Sequence, residues 1–285
     1  MSNTQETKNL HQCLEALIRD DLSLLDFLQD GSTEEKIVGL VLNGPPAKVS
    51  ARLSSLFHET LSRLSEVKTD QLKVVTLGGG TGLSSIVGGD SRQDDWQDAP
   101  FTGLKEIFPG ITSIVCVTDD GGSTGELLKY LPFVALGDLR HVLVSSVRRE
   151  RLQDLYQLDD TGAETLAASL HKIFNYRFHA PGISAEELLF DAGISSNLPI
   201  KLYDYFQQLV ALLFTDIRLK KTLEQPQCLG NLLLASAIMG CVDPAMSVDD
   251  LLDDSQILHQ ATIQVLGEVS QYLGVNEYVV LHCTI

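Results

Sequence analysis

The chain has 285 residues, which is enough for one large domain or for a core domain with a smaller appendage. Hydrophobic residues make up 44% of it and charged residues 21%, a balance typical of a globular protein with a sizeable core. The formal net charge is −17, from 38 acidic and 21 basic side chains, whereas a nucleic-acid-binding surface is normally basic. We therefore expect no DNA or RNA partner. An anionic ligand stays compatible with this charge if backbone N–H groups, a metal ion or one placed arginine receive it.

Cysteine usage and hydropathy predict the compartment. The chain has five cysteines, an odd number without a C-x-x-C pair, at Cys13, Cys116, Cys228, Cys241 and Cys283. This pattern indicates buried free thiols in a reducing compartment. The first residues are polar and lack the basic-then-apolar order of a signal peptide. The most apolar helical segment, 229–242, falls short of the roughly 20 residues that a membrane span needs. The sequence thus predicts a cytoplasmic protein without a membrane partner.

Residues 1–70 are predicted to form a small helical N-terminal region. Leucine and isoleucine recur at helical spacing from residue 10 to residue 28. A turn signal follows at Asn43-Gly44-Pro45-Pro46, and a further amphipathic helix is predicted over 49–64. We interpret this extension as a packing appendage or as a handle for dimer formation.

Residues 71–285 show a different pattern, in which strands alternate with helices. KVVTL at 73–77, ITSIVCVT at 111–118 and the final EYVVLHCTI are strand candidates, and this alternation is typical of an α/β sheet. Helices are predicted over 164–174, 185–190, 201–223, 229–239 and 251–273. Residues 89–103 are polar and acidic and hold the only tryptophan. We interpret them as an inserted solvated loop, with a mobile lid over a site as the alternative.

A glycine run follows the first strand candidate, at Gly78, Gly79, Gly80, Thr81 and Gly82. It fits neither standard phosphate motif: a P-loop needs lysine where Leu83 stands, and the dinucleotide fingerprint G-x-G-x-x-G is a near miss. The physical logic remains, because glycines permit positive φ and close approach of a diphosphate, and the next helix directs free N–H groups at that point. Two interpretations stay open: a tight strand-to-helix turn without a ligand, or a cradle for a phosphate group.

A second glycine-rich segment, TDDGGSTG at 118–125, follows the second strand candidate. Nucleotide sites at a sheet switch point place an acidic residue about 20 positions after the glycines. Asp119 stands 37 positions after the first glycine run, or 22 once the 15-residue insertion is discounted. Adjacent carboxylates at a phosphate site suit Mg²⁺, so Asp119 and Asp120 are candidates for metal or ribose contact. The alternatives are a turn role for an aspartate and helix capping by Ser123 or Thr124.

Two further segments place polar residues beside apolar helices. In ALGDLRH, Gly137, Asp138 and Arg140 would combine a close approach, a carboxylate and a fork for phosphate, although Asp138 is also a good helix N-cap. In QCLGNLLLAS, Asn231 lies among leucines, where a buried amide costs a few kcal/mol without a hydrogen bond. Asn231 therefore either braces a neighbouring loop or contacts a ligand.

Taken together, GGGTGLS, TDDGGSTG, GDLRH and LGNLLLAS resemble the family of 2-phospho-L-lactate transferase and the bacterial gluconeogenesis factor, a nucleotide-sugar-binding regulator. The resemblance covers residues 73–285. It implies a Rossmann-like three-layer parallel sheet with helices on both faces, which binds a nucleotide diphosphate conjugate at the carboxyl ends of its strands. His141 stands where the regulators usually have asparagine. Relatives lack the helical N-terminus and the 89–103 insertion and continue past the position of residue 285, so a shortened C-terminus is expected.

The resemblance also assigns roles to residues. The transferase moves a lactyl-phosphate group from a guanosine diphospho-lactate donor to the hydroxyl of a deazaflavin precursor, with Mg²⁺ bound by aspartate. Carried over, Asp119 would hold Mg²⁺ and Asp138 would support it, while Arg140 would stabilise charge on the leaving phosphate. These three are the expected catalytic residues. The residues expected to contact the ligand are Gly78, Gly79, Gly80, Thr81, Gly82, Asp120, Gly121, Gly122, Ser123, Gly137, Gly230 and Asn231.

Three classes of function follow from these motifs. The first is a transferase that moves a phosphorylated group, which must also accommodate a large planar acceptor. The second is a non-catalytic nucleotide-sugar-binding regulator of carbon metabolism or the cell envelope, read out through the helical N-terminus. The third is a degenerate structural member of the family. A homodimer is a further expectation, because the final strand offers an edge to a partner.

Overall fold

The structure, a computed structural model, describes residues 55, 69, 71–118, 121–178, 182–276 and 280–283, the last four by their backbone. The chain divides into two compact units, Met1–Leu72 with Ile107–Pro109 and Lys73–Glu106 with Gly110–Ile285. The helical region predicted over residues 1–70 lies outside the described residues, apart from positions 55 and 69. The four motif segments belong to the second unit.

The strands of the second unit form two sheets. The described strands are β1 Val75–Gly78, β2 Thr112–Cys116, β3 Arg177–Phe178, β4 Gln227–Cys228 and β5 Val280–Cys283. β1, β2 and β5 form a parallel sheet with β2 in the middle, where Leu77 pairs with Ile114 and Ile114 with Leu281. β3 and β4 form a short antiparallel pair. The three strand candidates and the α/β class are thereby confirmed.

Helices make up most of the remaining described chain. They are α1 Gly80–Gly88, α2 Leu104–Ile107, α3 Gly122–Leu128, α4 Leu136–Ser145, α5 Arg149–Tyr156, α6 Asp160–Asn175, α7 Ala185–Asp191, α8 Ile200–Thr215, α9 Leu229–Gly240, α10 Val248–Asp253 and α11 Gln256–Leu273. The helix predicted over 201–223 ends earlier than expected, at Thr215. The Asp216 carboxylate accepts a hydrogen bond from the Arg218 backbone N–H at 2.9 Å, a local turn that competes with helix continuation.

Two helices, α1 and α4, cover one face of the parallel sheet at β2. α1 and α4 pack against β2 and against each other. Alternate side chains of a strand point to opposite faces, and Ser113 and Val115 on the covered face are fully buried. On the other face, Val75 and Leu77 are 52% and 74% exposed. The three-layer Rossmann-like arrangement with helices on both faces therefore stays a prediction.

Helix α9 is the centre of the helical core. Its residues from Leu229 to Met239 are all buried, including the small Ala235 and Ser236. It packs against α4, α6, α8 and α11, which explains why its sequence is apolar on every side rather than amphipathic. The predicted apolar helix over 229–239 is confirmed.

The segment 89–103 is anchored by three buried residues, Ser91, Trp96 and Pro100, while residues 92–95 and 97–99 are exposed. Its interpretation as a solvated loop is therefore wrong only at these three buried positions. Trp96 is 5% exposed and its indole N–H donates to the Gly88 carbonyl at 2.7 Å. The indole also stacks on the His171 ring, with 5.3 Å between the ring centroids. The Ser145 hydroxyl donates to the Gly89 carbonyl at 2.8 Å. The burial of one large aromatic side chain therefore anchors a segment whose other residues are mostly polar, because it removes much apolar area from water.

Lys105 fixes the far end of this segment. Its side chain is fully buried, and Nζ donates to the carbonyls of Pro100 and Ser145, each at 2.7 Å. These two bonds join the end of the insertion to the last turn of α4. Burial lowers the pKa of Lys105 to about 7, against a smaller opposing effect of Glu106.

Three cysteines have described side chains, and all three are free thiols. Cys228 is buried as predicted, whereas Cys116 and Cys241 are exposed, so the expectation of burial is wrong for these two. Cys116 lies on the face of β2 opposite Ser113 and Val115, and Cys241 is the C-cap residue of α9. Among the helices described, none is long and apolar enough to cross a membrane.

We expect Trp96→Ala to lower the free energy of unfolding by about 3–5 kcal/mol, because it deletes a buried aromatic side chain and leaves a cavity. Urea unfolding measures the change. Phe190→Ala is the control, since Phe190 is 84% exposed and its loss should change stability by under about 0.5 kcal/mol. Equal stabilities of the two variants would contradict the packed insertion.

The pKa of Lys105 predicts a pH dependence of stability. Its folded-state pKa of about 7 lies below the ordinary 10.5, so the unfolded chain binds more protons between these values. The contribution of Lys105 to stability is therefore absent below pH 7 and grows as the pH rises. We expect the unfolding free energy of the wild type, minus that of Lys105→Met, to rise by up to about 1.4 kcal/mol per pH unit in this window.

Urea unfolding across that pH range measures this difference. Lys129→Met provides the matched control, because Lys129 lies in an exposed ion pair with Glu126. Its difference from the wild type should stay flat. A flat difference for Lys105→Met as well would show that the buried amine keeps its ordinary pKa.

Candidate functional site

The first glycine run forms the turn between β1 and α1, as its position predicts. β1 ends at Gly78, and α1 begins at Gly80 with Gly79 as its N-cap. No side chain caps this helix, so the backbone N–H groups of its first turn have no intrahelical acceptor. None of these glycines has a positive φ. The glycines of this run therefore let other groups approach the backbone closely, and none is needed for an unusual backbone conformation.

Gly80 brings the first motif into contact with the third. A methyl group added at Gly80 would lie 2.5 Å from both Cα and Oδ1 of Asp138. One added at Gly79 would lie 3.6 Å from Asp138 Oδ2. Asp138 is the third residue of α4, whose N-cap is Ala135, so the alternative role of Asp138 as an N-cap is wrong. Its carboxylate instead lies beside the glycine run.

Gly137 and Gly230 bring the second and fourth motifs to the same place. The Gly137 backbone N–H donates to the Thr124 hydroxyl at 3.2 Å, and a methyl group at Gly137 would lie 2.6 Å from that oxygen. The same methyl would lie 4.0 Å from Asn231 Nδ2. A methyl at Gly230 would lie 2.5 Å from Arg140 Cδ. All four motifs thus meet around the start of α4.

A cleft of about 580 Å³ opens at the carboxyl ends of β1 and β2. This is the edge at which open α/β sheets bind their ligands. Its lining residues combine the glycine run with apolar and polar side chains: Leu77, Gly78, Gly79, Gly80, Thr81, Gly82, Leu83, Ile86, Cys116, Thr118 and Asp138. Gly82 has no atom within 4 Å of the position that a Cβ would take, so the space beside it is open.

The second glycine-rich segment is described only in part. Asp119 and Asp120 lie outside the described residues. Gly121 is the N-cap of α3, and Gly122 has φ +55, a conformation that favours glycine. Ser123 and Thr124 lie inside the first turn of α3 rather than capping it.

Ser123 receives a hydrogen bond from a residue distant in sequence. The Arg177 guanidinium on β3 donates to the Ser123 hydroxyl at 2.8 Å. Arg177 is exposed, and its charge also lowers the pKa of Arg140. The sequence gives no signal for Arg177, because a two-residue strand in a helical region has no recognisable pattern.

Arg140 lies inside the protein rather than in the lining of the cleft. Its guanidinium donates to the Phe174 carbonyl at 3.2 Å, to the Cys228 thiol and to His141 Nε2 at 2.7 Å. Burial lowers the pKa of Arg140, and the charge of Arg177 lowers it further. The third motif forms a helix turn that directs position 140 towards α9, away from position 138. A contact of Arg140 with the leaving phosphate stays a prediction that this orientation does not favour.

His141 is held as a neutral imidazole. Burial and the charges of Arg140 and Arg92 lower its pKa to about 3. Its Nε2 accepts from Arg140, while the Ser91 hydroxyl lies 3.5 Å from Nδ1 and donates to the His141 carbonyl at 2.9 Å. His141 therefore links α4 to the insertion.

Asn231 is buried in the first turn of α9, with 1% of its surface exposed. Its Oδ1 atom has no hydrogen-bond partner among the described residues, and its amide nitrogen lies beside Gly137. An unpaired buried carbonyl is costly, but Asn231 is not one of the residues that line the cleft, so its contact with a ligand stays a prediction.

Sequence reasoning missed Arg92, which reaches the glycine run from the insertion. Nη1 of Arg92 donates to the Thr81 hydroxyl at 3.0 Å. Nε and Nη2 donate to the two carboxylate oxygens of Asp90 at 2.8 and 2.7 Å, and these bonds lower the pKa of Asp90 to about 2. An aspartate and an arginine two residues apart in a polar loop carry no sequence signal of this contact.

The described residues hold no cluster of three or more His, Cys, Asp or Glu side chains suited to a metal ion. Asp138 is the carboxylate that lines the cleft within this part of the chain. Mg²⁺ takes one or two carboxylates together with phosphate oxygens of a substrate, so a lone Asp138 fits such an ion only when the ligand supplies the other oxygens.

The chain belongs to the family described as 2-phospho-L-lactate transferase CofD, which matches it over residues 74–260. The resemblance carried by the four motifs is thereby confirmed. The gluconeogenesis factor of Halalkalibacterium halodurans is 36% identical over 126 residues, which are 43% of this chain and 30% of that protein.

Two further relatives match shorter segments. A putative gluconeogenesis factor of Deinococcus radiodurans is 46% identical over 68 residues, 24% of this chain and 12% of that protein. One of a Nostoc species is 33% identical over 108 residues, 38% of this chain and 17% of that protein. The matched segments span less than a third of the length of these relatives. No solved structure matches the chain.

We expect Gly80→Ala to destabilise the protein by about 1–3 kcal/mol, because the added methyl overlaps the Asp138 backbone in a well-packed contact. Gly82→Ala is the matched control two positions along the same helix. Its methyl meets open space, so stability should stay equal or rise by about 0.5–1 kcal/mol. Urea unfolding compares the two, and equal stabilities would show that α1 and α4 are not in tight contact at Gly80.

Proposed function

We propose that the protein binds a nucleotide diphosphate conjugate in the cleft beside Gly80 and Asp138. The observation that carries this proposal is the convergence of all four motifs around the start of α4. A turn without a ligand would need only the contact between Gly80 and Asp138. It would not need the open space beside Gly82.

The residues of the cleft suit the parts of such a ligand. The uncapped first turn of α1 offers N–H groups and the positive end of a helix dipole to a diphosphate. Leu77 and Ile86 are 74% and 42% exposed and offer an apolar surface to a base or sugar. The ligand-contacting roles of Gly121, Gly122 and Ser123 stay part of this proposal.

For catalysis, we infer transfer of a phosphorylated group of the 2-phospho-L-lactate transferase type. An acceptor hydroxyl would attack the phosphorus of the transferred group, the bond to the bridging oxygen would break, and a nucleoside monophosphate would leave. Asp119 is proposed as the Mg²⁺ ligand and Asp138 as its support. Such transfer depends mainly on positioning and charge, so no protein nucleophile is required.

A second candidate is a regulator that binds a nucleotide sugar without catalysis. The names of the relatives favour it, because the three described above are called gluconeogenesis factors or putative ones. The two candidates share the cleft and differ in Mg²⁺ and acceptor requirements.

The proposal predicts binding that depends on space at Gly82. Calorimetric titration of the full chain with UDP-N-acetylglucosamine, GDP and NAD should give saturable binding of at least one nucleotide. Gly82→Ala should weaken that binding about tenfold or more while the protein stays folded, because its methyl fills the space where the diphosphate approaches the backbone.

Gly267→Ala is the control for this experiment. A methyl at Gly267 also meets no atom within 4 Å, and Gly267 lies in α11 outside the cleft lining. Its binding should equal that of the wild type. If no nucleotide binds, the proposed function is wrong and the glycine run is a turn.

The same titration separates the two candidates when it is repeated with Mg²⁺ and with the deazaflavin precursor. Mg²⁺-dependent GDP binding together with precursor binding, both lost in Asp119→Ala, would favour the transferase. Tight nucleotide-sugar binding without Mg²⁺, and none of the precursor, would favour the regulator.

A further inference from the structure

We propose that Arg92, in the insertion, is the side chain that binds a phosphate group of the ligand at the glycine run. This inference rests on the proposed function and adds a residue to it. Arg92 donates to Thr81, in the first turn of α1. Among the described residues, it is the cationic side chain that forms a hydrogen bond with a residue lining the cleft.

The guanidinium of Arg92 is oriented but not saturated. A guanidinium has five N–H donors. Three of them are used within the described part of the chain, two by the carboxylate of Asp90 and one by the hydroxyl of Thr81. One N–H on each terminal nitrogen remains, and the side chain is 40% exposed. These two N–H groups can donate to phosphate oxygens.

The backbone that carries Arg92 is firmly anchored on both sides. Ser91 is fully buried; its hydroxyl donates to the His141 carbonyl, and its own carbonyl accepts from the Asn175 amide at 2.7 Å. Trp96 holds the following turn in the core. The bidentate contact with Asp90 then fixes the guanidinium plane. Little conformational entropy remains to be lost when a ligand binds.

Charge also favours this role. The chain has a formal net charge of −17, and the carboxylate of Asp138 lies in the same cleft. A diphosphate entering there meets repulsion unless a fixed cation is close. The hydrogen bond with Asp90 raises the pKa of Arg92 most, and the charge of Asp138 raises it slightly further. Arg140, the arginine expected from the sequence to contact the phosphate, is buried and donates to the Phe174 carbonyl instead.

The test compares Arg92→Gln with the wild type in the full chain by titration calorimetry. The probes are GDP and UDP, together with guanosine and uridine as uncharged partners of the same bases. We expect the diphosphate that binds the wild type more tightly to bind Arg92→Gln about ten- to a hundredfold more weakly, as for loss of hydrogen bonds to a charged group. Affinity for the matching nucleoside should stay unchanged.

Two further variants make the result specific. Arg149→Gln removes the same charge from a residue paired with Glu164, and its diphosphate affinity should equal that of the wild type. Arg92→Lys keeps the charge but lacks the planar fork, so it should recover only part of the lost affinity.

The outcomes are distinct for the two proposals. A wild type that binds neither diphosphate overturns this inference, and it overturns the proposed function as well when UDP-N-acetylglucosamine and NAD also fail to bind. A wild type that binds one of them, with an unchanged affinity in Arg92→Gln, overturns the role of Arg92 alone. An equal loss for the diphosphate and the nucleoside also overturns it, because the substitution would then act through the shape of the site.

Discussion

The close packing of α1 on α4 is the constraint on which the rest of the site depends. Two glycines of α1 face α4: a methyl at Gly80 would press on Asp138, and a methyl at Gly88 would overlap the Ser145 carbonyl oxygen. α1 follows β1 in the chain, and both helices pack against β2. The distance between the two helices therefore determines where the edge of the cleft lies. With any side chain at these points the helices would move apart, and the Asp138 carboxylate would leave the glycine run. Glycine is thus required here for space between helices.

The same contact organises the insertion. Gly88 and Ser145 lie in contact at the ends of the two helices. The Ser145 carbonyl accepts a hydrogen bond from the Lys105 side chain, and the Gly88 carbonyl accepts one from the Trp96 side chain. Two buried polar groups are thereby satisfied by carbonyls that the helix ends leave without partners. The insertion packs against the ends of α1 and α4, and Arg92, near the start of the insertion, reaches Thr81. The insertion is thereby linked to the site through the hydrogen bond from Arg92 to Thr81, one of the residues that line the cleft.

Much of the fold could be predicted because strong local patterns agree with it. The strands β1 and β2, the apolar helix α9 and the turn at Gly79 follow from short apolar runs and from glycine. The convergence of four distant motifs came from resemblance, since spacing alone cannot bring Gly230 to Arg140. The packing of Trp96 and the inward direction of Arg140 could not be predicted. Both depend on which neighbouring helix is close enough to bury them, and that is a property of the tertiary structure.

The charge of the chain explains why an anion site would be built in this way. With 38 acidic and 21 basic side chains, the field over most of the surface repels a diphosphate. Basic side chains scattered over the surface would be screened by salt and would add little at the cleft. Backbone N–H groups at the start of α1 and one guanidinium fixed by Asp90 act at contact distance, where screening is weak. The Asp138 carboxylate adds a further negative charge to the same cleft. An anion site in this chain would therefore depend on groups at contact distance rather than on the field of the whole surface.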